Sequence, residues 1–175
     1  MARAPLSLKA RAIGLLAQRE QSRIELRRKL LRMEQLRLRR MAMAPGDTAD
    51  GRAESAGEAP AYDAEAAEAA VDVLLDTLAA EGYLDETRFV ESRLHLRARR
   101  FGAQRIQQEL AQHGLKLDAE QQAALRSTEL DRAREVWTKR FGAEPSQDIA
   151  ERARQTRFLL ARGFAPEVVR RLLRA

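Results

Sequence analysis

Apolar residues recur along this chain at the spacing of a helix, not of a strand. Val71, Leu74, Leu75 and Leu78 fall at i, i+3, i+4 and i+7, which sets them on one helical face. Leu26, Leu30 and Met33 repeat the pattern, as do Leu130, Ala133, Trp137 and Phe141. Between them stand alanine, arginine, glutamate and glutamine, which propagate helices well, while β-branched and aromatic runs are missing. The expected fold class is all-α.

Punctuation divides the chain into about nine predicted helices. The first lies near 8–18. Ser22, with Glu25 three residues on, reads as a capping box opening a second helix, which carries a basic stretch to about Met43. A third over about 64–80 stops at Gly82, a residue that tolerates a left-handed cap. Asp85 caps a fourth that ends before Gly102; a fifth runs to Gly114, and Asp118 opens a short sixth. The seventh, about 129–141, meets Gly142, and the eighth, about 148–162, precedes Gly163. Pro166 sits where a first-turn proline belongs and starts a ninth. Residues 44–62 hold proline, glycine, alanine and acids without an apolar period, and are expected to form a flexible linker.

The chain also repeats itself. Counting from Ser22, Gly102 and Ala165, position −6 is Leu16, Leu96 and Leu159, and position −3 is Arg19, Arg99 and Arg162. Position +4 is Leu26, Ile106 and Val169; position +8 is Leu30, Leu110 and Leu173. A second register pairs Arg100-Phe101-Gly102-Ala103 with Arg140-Phe141-Gly142-Ala143, and the sequence leaves both open. Either way, stacked helical units build an elongated, curved array.

Charge sharpens this picture. The net charge of +6 conceals three blocks. Residues 1–43 carry 12 basic and 3 acidic side chains, residues 44–86 carry 1 and 12, and residues 87–175 carry 19 and 11. Nearly all the cations are arginine, whose planar fork suits phosphate and carboxylate. Two basic lobes around an acidic middle imply a charged partner approached with electrostatic steering. The candidate contact residues are Arg27, Arg28, Lys29 and Arg32 on the second predicted helix, with Arg23, Arg37, Arg39 and Arg40 beside them. Arg93, Arg97 and Arg100, spaced four then three, are expected to share a face of the fourth, with Arg105 on the fifth. Arg170, Arg171 and Arg174 form a third cluster.

Enzymatic readings lack parts. The absence of cysteine excludes disulfides, thiol chemistry and cysteine-ligated metals, and fits a cytoplasmic protein. His95 and His113 lie on different predicted helices without a metal-ligand companion. There is no phosphate-binding glycine loop, so no catalytic residue, metal or cofactor is expected. Glu65, Glu68, Asp72 and Asp76 recur at helical spacing and read as a solvated face rather than a cation site. Phe101-Gly102, Phe141-Gly142 and Gly163-Phe164 read as structural turns rather than base-stacking sites, and Tyr83 and Trp137 as anchors of a core or seam. No apolar run approaches the roughly 18 residues of a membrane span, and the start Met1-Ala2-Arg3 precedes no signal-like apolar core.

The stretch Gly82-Tyr83-Leu84-Asp85-Glu86-Thr87-Arg88-Phe89-Val90 resembles the GYLDD-x-RFA signature of the RecX family. Gly102 to Leu110, then Gly114-Leu115, resembles its G-x-x-RI-x-x-EL block and terminal glycine; 157–164 resembles its RFL-x-x-RGF block, and 16–30 its L-x-x-R-x-x-S-x-x-EL-x-x-KL pattern. The four blocks stand in order, and the match as a whole extends over about three quarters of the chain. The resemblance implies tandem three-helix repeats over 1–83, 84–127 and 128–175. It also implies a monomeric partner of the RecA–DNA filament that docks in the filament groove, bridges subunits, and inhibits strand exchange and co-protease activity. The length and low complexity of 34–62 depart from the family pattern. The alternative is a direct DNA-binding protein whose second helix acts as a recognition helix after the first helix and its turn.

Overall fold

A computed structural model describes residues 6–43, 64–142 and 147–174. The expected linker at 44–62 lies outside the described residues. Among those described there are nine helices and no strand. The chain divides into two compact units, Met1–Asp85 and Glu86–Ala175.

The first unit contains α1 (Leu8–Leu16), α2 (Arg23–Met43) and α3 (Ala64–Ala80). Ser7 caps α1, its hydroxyl accepting from the Ala10 N–H at 3.2 Å. At α2, Ser22 Oγ accepts from the Glu25 N–H at 3.2 Å, satisfying an orphan amide of the first turn. α3 closes through left-handed Gly82 (φ 75°), which lets the Tyr83 N–H reach back to the Leu78 carbonyl at 2.9 Å. The predicted stripes turn inward: Leu26 and Leu30 meet Val71, Leu75 and Leu78, with Ala12 and Leu84 completing the core. Gln21, also buried, stitches the α1–α2 turn by donating to the Leu15 carbonyl at 2.8 Å and accepting from Lys29 at 2.9 Å. Tyr83 is 46% exposed and stands outside this core, which Leu84 joins after the chain reversal at Gly82.

The second unit contains α4 (Glu86–Ala98), α5 (Ala103–Ala111), α6 (Ala119–Ser127), α7 (Glu129–Phe141), α8 (Ile149–Ala161) and α9 (Pro166–Arg174). Phe89, Ile106, Leu110, Leu117 and Leu125 form one apolar cluster, and Ala133, Trp137, Leu159, Phe164, Val169 and Leu173 another. Asp118 opens α6 with a complete capping box to Gln121, and Asp148 caps α8. Trp137 is buried with its indole N–H donating to buried Gln155 at 3.0 Å.

The α4–α5 and α8–α9 turns meet backbone to backbone. The Gly102 N–H donates to the Arg162 carbonyl at 2.9 Å and the Gln104 N–H to the Gly163 carbonyl at 3.1 Å. A Cβ on Gly102 would stand 2.2 Å from the Gly163 oxygen, so only glycine allows this approach. Gly163, at φ 79°, is left-handed as well as crowded, its missing Cβ being 2.5 Å from the Arg105 backbone nitrogen.

Two charged residues on the first turn of α7 complete the junction. Glu129, 3% exposed, accepts the Ala103 N–H at 3.0 Å and the Ala165 N–H at 3.2 Å, where α5 and α9 begin. Arg132 donates to the Ala98 carbonyl at 3.0 Å, Phe101 at 2.8 Å and Leu125 at 2.7 Å, at the C-terminal ends of α4 and α6. An anion thus sits at helix starts and a cation at helix ends, as the helix dipoles favour. Burial pushes the Arg132 pKa down, opposed by Glu129.

These contacts separate the two repeat registers. Ser22, Gly102 and Ala165 each directly precede a helix, and their +4 and +8 residues are all buried. In the competing register Gly102 is an extended N-cap, whereas Gly142 is a left-handed C-cap at φ 93°. The two glycines do different jobs. Leu96 breaks even the better register, being 61% exposed where Leu159 is fully buried.

Candidate functional site

The basic residues marked out by the sequence fall into three environments. On α2, Arg27 faces α3: its Nε donates to Asp72 Oδ1 at 2.7 Å, and its Nη2 to Asp72 Oδ2 at 3.0 Å and Glu68 Oε2 at 2.8 Å. These hydrogen bonds, Asp72 first and Glu68 second, raise the Arg27 pKa, and the same pairing lowers that of Asp72. Arg23 pairs with Asp76 at 2.8 Å, and Lys9 of α1 with Glu81 at 2.6 Å. Lys29 pairs with Glu25 at 3.0 Å, and Arg19 holds the same carboxylate. Burial alone would raise the Glu25 pKa, but the hydrogen bonds from Arg19 and Lys29 outweigh it and bring it to about 2.

The acidic stripe of α3 is therefore not simply a solvated face, as the sequence suggested. Glu68, Asp72 and Asp76 hold the cations of α2 across the helix pair. Arg28 and Arg32 lie on the outer side of α2, exposed and without an ion pair among the described residues.

The second environment is a groove of about 260 Å³ between α4 and α5, lined by Arg93, Arg97, Arg105, Gln108, Glu109, Gln112 and His113. The structure brings together three of the predicted contact residues here. Arg93 lies over the Phe89 ring at 5.1 Å, and Arg97 over Phe101 at 5.2 Å, so each guanidinium rests on an aromatic face. His113 meets the edge of the same Phe89, 5.0 Å between centroids. Glu109 stands between two arginines, 2.9 Å from Arg97 Nε and 3.7 Å from Arg105 Nε. The Arg97 Nε has no aligned hydrogen bond, so its contact with Glu109 is chiefly coulombic. Three arginines and one carboxylate line the groove.

Arg100 does not share this face. α4 ends at Ala98, and Arg100 occupies the turn in which the Arg100 and Phe101 amides both return to the Arg97 carbonyl. Helical spacing stops applying at that point, so Arg100 is exposed outside the groove.

The third environment is α9. Arg170 and Arg171 are both exposed; Arg170 makes a loose pair with Glu167 at 3.4 Å, and Arg171 has no ion pair among the described residues. Sequence reasoning missed the lining role of Gln108, Gln112 and His113, and the placement of Glu109. Glu109 follows Arg105 by one helical turn and was legible to that extent. Its contact with Arg97 on another helix was not.

Among the described residues no group of three or more histidine or acidic side chains is placed to hold a metal ion, and no helix is long and apolar enough to cross a membrane.

Comparison with known proteins adds a consistent result. The family model described as the second three-helix domain of RecX matches residues 85–123, and that described as the third matches 127–173. The regulatory protein RecX of Ralstonia pickettii is 45% identical over 173 residues, covering 98% of this chain and 89% of the relative. Those of Leptothrix cholodnii and Herminiimonas arsenicoxydans are 44% and 41% identical, over 98% and 100% of this chain and 90% and 96% of theirs.

Proposed function

The chain belongs to the RecX family of regulatory proteins, and from that premise we propose that it binds the RecA–DNA filament and restrains it. It acts as a monomer in the cytoplasm, without catalysis, a metal or a cofactor. A modulator needs only to favour one state of its target, so positioned charge suffices. Repeats over 1–83, 84–127 and 128–175 contact successive recombinase subunits and obstruct the groove where a second duplex must enter. Strand exchange and co-protease activity fall together.

The observation that carries this reading is the convergence of Arg93, Arg97 and Arg105 in one open groove. Forked donors backed by aromatic rings suit the carboxylates of an acidic protein face. The direct DNA-binding alternative, with α2 as recognition helix, has less support. Leu26 and Leu30 are buried, and Arg23, Arg27 and Lys29 already hold carboxylates of this chain.

The test is RecA-dependent ATP hydrolysis on single-stranded DNA, titrated with this protein at two salt concentrations. Hydrolysis should fall with added protein, and less so at high salt, because screening weakens charge steering. Unchanged hydrolysis at both salts rejects the proposal. Footprinting on random duplexes addresses the alternative, which requires a specific protected site.

A further inference from the structure

A second groove, between α8 and α9, has a different chemistry from the first. It encloses about 330 Å³, the small end of the ~300–1,000 Å³ usual for ligand sites, and so has room for aliphatic side chains but not for a large cofactor. Its floor is apolar, formed by Leu160, Val169 and Leu173. Leu160 remains 40% exposed, so apolar surface is open to solvent in the groove itself. Its rim is cationic: Arg152, Arg170 and Arg174. Among the described residues no carboxylate lines it, in contrast to the α4–α5 groove, where Glu109 stands among the arginines. Of the three rim arginines only Arg170 has an ion pair among the described residues, and that pair, with Glu167, is well exposed and weak.

We propose that the α8–α9 groove is a docking site for an acidic peptide segment of a partner protein, one whose aliphatic side chains enter the groove while its carboxylates meet the arginine rim. The proposal rests on the filament reading only for the partner being a protein. Charge complementarity selects the acids, and the floor selects the aliphatic anchors, which supply affinity by leaving water. A nucleic-acid strand fits less well. Phosphates would find the rim, but among the described residues no aromatic ring lines the groove for a base to stack upon.

The experiment is fluorescence anisotropy with the full chain and a short labelled peptide in which leucines alternate with pairs of glutamates. Competitors are polyglutamate of equal length and a single-stranded oligonucleotide. The peptide should bind, and neither competitor should displace it at equal concentration. Leu160→Asp and Arg174→Glu should each weaken binding by about tenfold, a change of about 1.4 kcal/mol, with far-ultraviolet circular dichroism unchanged. Both residues are exposed, so neither change disturbs the core. Absence of binding, indifference to Leu160→Asp, or displacement by polyglutamate or by the oligonucleotide overturns the proposal. Because no recombinase is present, the two readings fail separately. Lost peptide binding with inhibition of RecA intact removes the groove alone, and retained peptide binding without inhibition removes the filament reading alone.

Discussion

α2 and the α4–α5 pair look alike as sequence: both carry arginines at helical spacing beside buried leucines or isoleucine. In three dimensions they are opposites. The arginines of α2 face a helix rich in acids, so Arg23 and Arg27 close onto Asp76, Asp72 and Glu68. Those of α4 and α5 face each other in an open groove, with one glutamate among them. Basic content alone does not mark an interface. What differs is the number of carboxylates standing opposite across the helix pair, three on α3 against the arginines of α2 and one on α5 against Arg97.

The two units also differ in where they place charge for stability. The first ties helices together with ion pairs at its surface, whereas the second buries one acid at its junction. The largest effect expected from breaking this contrast is therefore Glu129→Ala. It strips the acceptor from two helix-start amides and should cost about 2–4 kcal/mol in urea unfolding. Glu129→Gln keeps an acceptor oxygen and should cost less. If the two variants lose the same stability, the carboxylate is not the clasp described here.

The next largest effect is expected at the turn contact. Gly102→Ala drives a methyl into the Gly163 carbonyl, so the α4–α5 and α8–α9 turns must part. Thermal unfolding should shift down by several degrees, consistent with about 1–3 kcal/mol of overpacking in a domain of this size. An unchanged midpoint would contradict the backbone contact.

Acid should then distinguish the units by a smaller margin. Glu25 has a folded-state pKa of about 2 against an ordinary 4.5, and that of Asp72 is also lowered. Groups with depressed values stabilise the fold above their ordinary pKa and cease to as pH falls through the folded one. The first unit should loosen between about pH 4.5 and 2, seen as amide exchange rising earlier in α2 and α3 than in α7 and α9. The smallest effect is expected at Arg171→Gln, an exposed change that should alter stability by no more than about 0.5 kcal/mol.

Much of the fold was legible because its determinants are local. Ser22, Asp118 and Asp148 cap helices within four residues of themselves, and Gly82, Gly142 and Pro166 act where they stand. The apolar stripes predicted the core residues for the same reason. What stayed hidden is non-local. Arg27 meets Asp72 across 45 residues, and Glu129 meets Ala103 and Ala165 from opposite directions along the chain. No spacing rule reaches that far. Arg100 failed differently, since a spacing of three from Arg97 keeps its meaning only while the helix continues, and α4 stops at Ala98.

The most direct test sets the two basic regions against each other in one assay. RecA-dependent ATP hydrolysis on single-stranded DNA is titrated with the unchanged protein, with Arg97→Glu/Arg105→Glu, and with Arg23→Gln/Arg27→Gln, helicity being checked for each. Inhibition should vanish for the groove pair and persist for the α2 pair. Inhibition that survives the first and disappears with the second would contradict the placement of the docking surface.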